Sequence, residues 1–65
     1  MIRHYSLNTV EDLEKLAQKI NVSYPHLTYL VSKPDKEFAY VEENSESMDN
    51  KIKLLIEQAG GKPID

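Results

Sequence analysis

Two rhythms of apolar spacing alternate along the chain. From His26 to Glu43 (HLTYLVSKPDKEFAYVEE) the rhythm is that of extended strands, interrupted at Lys33-Pro34-Asp35-Lys36. Pro34 followed by Asp35 suits the middle of a type I turn, so a hairpin is predicted. Successive side chains on a strand point to opposite faces. Leu27, Tyr29 and Val31 therefore share one face and Leu30 takes the other; Phe38 and Tyr40 oppose Ala39 and Val41. The hairpin is apolar on both sides, whichever register joins its strands. An earlier run, Ile2 to Leu7, reads as a strand of mixed pattern, with Ile2, His4 and Ser6 opposite Arg3, Tyr5 and Leu7.

The second rhythm is helical. Val10, Leu13, Leu16, Ala17 and Ile20 fall on one face at helical spacing. Asn8 with Glu11 has the spacing of a capping box, and Thr9 with Asp12 is the alternative frame. Glu11, Asp12 and Glu14 suit the positive end of the helix dipole. Asn21 is the expected left-handed terminator, and Pro25 bars continuation. A second helix is expected to start at Ser45 or Ser47, with Met48, Ile52, Leu55, Ile56 and Ala59 as its apolar stripe. Gly60-Gly61 ends it, Pro63 follows, and Lys62 to Asp65 is too short to predict as a strand.

The order β-α-β-β-α predicts a single α+β domain over residues 1–65, a two-layer sandwich of three strands with both helices on one face. A right-handed crossover places the third strand between the first two, antiparallel to both. That resembles the ferredoxin-like order lacking its fourth strand. It puts the first strand at an open edge, which Arg3 and His4 would blunt or Lys62 to Asp65 would cover. Two helices on one face leave the other bare. If Leu27, Tyr29 and Val31 face the helices, Leu30 lies outside, joined by Phe38 and Tyr40 or by Ala39 and Val41 according to register. Tyr5, Leu30, Phe38 and Tyr40 are the expected protein-binding residues.

Composition narrows the function classes. In 65 residues, eight Lys+Arg against eleven Asp+Glu leave a net charge of −3, which argues against nucleic acid and anionic membranes as partners. Tyrosine stacking on single strands remains a third reading, without the basic ring or the motif of RNA-recognition sheets. No cysteine, signal peptide or membrane-length apolar run is present, so a cytoplasmic protein is expected. A core this small rarely supplies more than ~3–5 kcal/mol, and self-association would enlarge it. The expectation is a regulatory module that binds a protein partner or forms a homodimer.

Glu42, Glu43, Glu46 and Asp49 form an acidic run, read first as a solvated loop and helix start. As an acidic surface it would suit a small inhibitor docking on a basic protein, the alternative function. His4 and His26 lack a recognisable third ligand, and no nucleophile motif, phosphate loop or metal-helix motif occurs. Neither catalysis nor a cofactor or metal is expected.

Overall fold

The computed structural model describes residues 1–42 and 45–64. Six elements follow one another: β1 (Ile2–Ser6), α1 (Val10–Ser23), β2 (Tyr29–Ser32), β3 (Glu37–Val41), α2 (Glu46–Gln58) and β4 (Lys62–Ile64). Thr9 opens α1, its hydroxyl accepting from the Asp12 N–H at 3.0 Å, so the alternative capping frame is the one used. The helix runs past Asn21, which keeps helical geometry, to Ser23. Tyr24 closes it, donating its N–H to the Ile20 carbonyl at 2.7 Å, one residue before Pro25 would break it. Ser45 caps α2, its hydroxyl 3.4 Å from the Met48 N–H. No helix among the described residues is long and apolar enough to cross a membrane.

The sheet has four antiparallel strands in the order β2-β3-β1-β4. β3 lies between β1 and β2, as the crossover argument requires. The three-stranded expectation is corrected at the C-terminal end, where β4 pairs with β1 through His4–Ile64 and Ser6–Lys62. β1 is therefore an inner strand and not an edge. The return to the sheet depends on two glycines. Gly60 takes φ +93°, which favours glycine, and a Cβ on Gly61 would run into the Ile56 side chain. A three-residue strand containing proline carries too little pattern to be recognised from spacing alone.

The hairpin register decides which face is core. Tyr29 pairs with Tyr40, Val31 with Phe38, and Tyr5 with Phe38 from the other side. The connecting residues 33–36 include a turn closed by the Lys36 N–H to the Lys33 carbonyl at 3.2 Å, with Lys36 itself at φ 52°. Tyr5, Phe38 and Tyr40 thereby share a face with Tyr29 and Val31. They pack against Leu13, Leu16 and Ile20 of α1 and Ile52 and Ile56 of α2, with Leu7 and Leu27 completing the cluster. Tyr5, Phe38 and Tyr40 are core residues, which corrects their expected place on the open face. Three large aromatics meeting two helix stripes bury more apolar surface than Ala39 and Val41 would, and that favours this register. Of the α2 stripe, Ile52 and Ile56 are buried, Leu55 and Ala59 half-buried, and Met48 exposed.

Candidate functional site

The uncovered face of the sheet is built from the even-numbered residues of β1, β2 and β4 and the odd-numbered residues of β3. Ile2 stands opposite Val41, His4 opposite Ala39 and Ile64, and Leu30 opposite Ala39. Leu30 is 74% exposed, Ile2 56%, Ile64 42% and Val41 38%. Ala39 is itself buried between the flanking side chains of Leu30 and His4. Because alanine is short, the face is dented there. One shallow depression is lined by His4, Leu30, Ser32, Glu37 and Ala39, and another by Ile2, Thr28, Leu30, Ala39 and Val41.

The polar groups of this face sit beside the dent. Nδ1 of His4 lies 2.7 Å from Oε1 of Glu37, a contact in which an imidazole N–H donates to the carboxylate. Both side chains are partly exposed, which makes this a surface pair of small energetic weight. Ser6 and Lys62 continue the face beyond Glu37.

Of the four expected binding residues, Leu30 alone reaches this face; Tyr5, Phe38 and Tyr40 lie beneath the helices. Ala39 and Val41 follow from the register that buries Phe38 and Tyr40. Ile2 was missed because Tyr5, which alternates with it along β1, was expected on the open face. Ile64 could not be found without β4.

Three of the four residues of the predicted acidic surface lie among the described ones, in different settings. Oε1 of Glu42 accepts from Nε of Arg3 at 2.6 Å, and this contact holds the Arg3 guanidinium above its usual pKa. Asp49 is buried in the first turn of α2. Glu46 is exposed, and Glu43 lies outside the described residues. Among the described residues no group of three His, Asp or Glu side chains converges as a metal site would require. His26 is exposed, in the loop before β2.

One polar group in the core stands out. The Tyr40 hydroxyl is buried and makes no well-formed hydrogen bond among the described residues; the neighbouring Tyr5 phenol is the group that acts on it, and the two rings stack with centroids 6.2 Å apart. Burial pushes the Tyr40 phenol well above its usual range, with neighbouring Tyr5 the next cause; burial likewise raises Tyr5.

Compared with protein-family models, with curated proteins and with solved structures, the chain matches none.

Proposed function

We propose that this chain is a non-enzymatic protein-binding module that associates, with itself or with another protein, through the open face of its sheet. One observation carries the reading: Ile2, Leu30 and Val41 stand exposed around the dent over Ala39, and Ile64 stands exposed on the same face beyond His4. Apolar side chains gathered on one flat face, with polar groups beside them, are the composition of a docking patch. The Ala39 dent offers room for one protruding apolar side chain, the arrangement in which anchor residues concentrate binding energy. The reading is non-enzymatic because, among the described residues, this face offers a shallow, largely apolar surface, and the Ser32 hydroxyl that shares the His4 depression is engaged with Asp35 at 3.0 Å.

The test uses the double variant Val41→Lys with Ile64→Lys. Both residues are exposed, so the domain is expected to stay folded by circular dichroism. Immobilised native chain should retain its bound protein from low to high salt, and the variant should lose it, because apolar contacts are nearly indifferent to ionic strength. Binding that fades with salt and survives in the variant would sink the proposal in favour of a charged docking surface.

A further inference from the structure

The two rims of the sheet differ in what their main chain offers. The Val41 N–H donates to the Thr28 carbonyl at 3.0 Å. In an antiparallel ladder the inward and outward main-chain groups alternate. Thr28, Leu30 and Ser32 therefore bond toward β3, and the N–H and C=O of Tyr29 and Val31 turn outward to the β2 rim. At the other side, Leu7 donates to the Lys36 carbonyl at 2.8 Å and Glu42 to the Met1 carbonyl at 3.0 Å. The odd-numbered residues of β1 thus bond to β3, which leaves His4 and Ser6 to bond Ile64 and Lys62. Pro63 is then the β4 residue whose main chain faces outward, and it has no N–H to offer. Lysine and proline guard that rim. Tyr29-Leu30-Val31-Ser32 carries no charge, proline, glycine or bulge, the devices that normally keep an edge from pairing.

We propose that the β2 rim pairs antiparallel with β2 of a second copy of this chain across a two-fold axis at Leu30, joining two four-stranded sheets into one of eight. The occupant follows from the register. With the axis at Leu30, Tyr29 of each copy meets Val31 of the other, and both residues have their main-chain groups turned to the rim. Leu30 meets Leu30 in the non-bonded position between them, where Cα atoms approach to about 4.5 Å and side chains touch closely. The most exposed large apolar side chain of the described strands thereby packs edge to edge against its own copy. Thr28 falls opposite Ser32, so no like charges face each other along the pairing. A shift of one residue would turn bonding groups away from each other. A shift of two would set Leu30 against Ser32 and Tyr29 against Lys33, forfeiting the apolar pair. The guarded β4 rim stops growth at two copies, since a sheet with both edges open would run on into a filament.

The inference deepens the reading of the chain as a binding module and uses a different surface from the open face. Pairing at the rim leaves that face free and merges two copies of it, with the Leu30 pair near the centre.

The chain has no cysteine, so a single introduced thiol reports the register. The unsubstituted chain should double in mass by light scattering as its concentration rises. Leu30→Cys should link into a covalent dimer under mild oxidation, because the two Cα atoms fall within disulfide reach. Ser32→Cys should not, as its two copies lie four residues out of register, ~13 Å apart. Equal linking of the two variants would overturn the proposal, as would a monomer at every concentration with no preferential linking of Leu30→Cys. A monomer that instead takes up an extended segment of another protein at β2 would also overturn self-pairing. Val41→Lys with Ile64→Lys separates the two readings. The rim dimer should survive this variant; a dimer lost in it, with no Leu30→Cys linking, would mean that the copies meet face to face, and rim pairing would fall while the open-face reading stood.

Discussion

The two faces of this sheet are both apolar, yet only one is core. On the helix side Tyr5, Phe38 and Tyr40 meet Leu13, Leu16, Ile20, Ile52 and Ile56. On the other side Ile2, Leu30, Val41 and Ile64 stand exposed, with no other element among the described residues covering them. Composition alone does not separate them. What separates them is volume: the aromatic rings fill the space between a sheet and two helix stripes, whereas the open face carries aliphatic side chains around a short alanine. A face built to be buried within the chain is filled by large side chains packed to interior density. A face left for another surface is flatter and keeps a dent.

The largest expected effect breaks that comparison if the faces have been assigned wrongly. Phe38 is fully buried, and truncating a buried phenylalanine costs about 3–5 kcal/mol. That equals all the stability a domain of this size commands. Phe38→Ala should show no cooperative thermal transition by circular dichroism. In dilute solution, where the chain is monomeric, Leu30→Glu should melt within a few degrees of the native chain, since surface changes stay within about 0.5 kcal/mol. If Leu30→Glu were the variant that unfolds, the two faces would be inverted.

How much of this was legible in the sequence follows from the same contrast. Both helices, their apolar stripes, the hairpin turn and the position of β3 follow from periodicity and capping, because those signals are local. The register between strands is not local. Leu30 could be placed outside only on the condition that Tyr29 and Val31 faced inward, and the places of Phe38 and Tyr40 hung on how residues 33–36 closed the hairpin. β4 was expected only as a tail, Lys62 to Asp65, able to cover the edge of β1, and its being a strand was hidden for another reason. Proline in a three-residue segment reads as a terminator, and its tolerance at an outer rim is visible only once the rim exists. The acidic run likewise looked continuous, but helical geometry turned Asp49 inward while Glu42 folded back onto Arg3.

The next effect in size concerns the strand that completes the sheet. A Cβ on Gly61 would meet the Ile56 side chain and lie 2.9 Å from the Ile56 carbonyl oxygen. Overpacking of this kind costs about 1–3 kcal/mol, and here the chain can escape by releasing β4. Gly61→Ala should therefore keep its helices while the His4 and Ser6 amides, which face β4, exchange faster with solvent. The Tyr5 amide, bonded toward β3, and the Tyr40 amide, bonded toward β1, should stay protected. Uniform loss of protection would mean that β4 is integral to the core and not an appended edge.

Buried phenols give the helix face an alkaline pH signature. Tyr40 and Tyr5 hold their protons in the folded state beyond the pH at which an unfolded tyrosine, with a pKa of 10.0, releases them. Their contribution to stability is complete below about pH 10 and declines above it, because the unfolded chain then binds fewer protons than the folded one. Denaturant midpoints should fall between pH 10 and 12. Tyr40→Phe removes the hydroxyl that makes no well-formed hydrogen bond among the described residues. Relieving a buried unsatisfied group should raise stability at neutral pH by about 1 kcal/mol and lessen the alkaline decline. A destabilised Tyr40→Phe would show that the hydroxyl is held by a partner in solution.

The smallest effect on stability sharpens the comparison most. His4 walls the Ala39 dent and pairs with Glu37 at the surface. Exposed ion pairs contribute little, so His4→Ala should change the unfolding free energy by no more than about 0.5 kcal/mol. The same change removes one wall of the dent and uncovers the Glu37 carboxylate beside it, and an unpaired carboxylate beside an apolar contact has to be desolvated on docking. Affinity for whatever occupies the open face should therefore drop several-fold while the melting curve scarcely moves. Core residues show the opposite ratio, with stability lost before binding can be measured. A His4→Ala variant that binds as tightly as the native chain would place the contact elsewhere on the face, toward Ile2 and Val41, where the second depression lies.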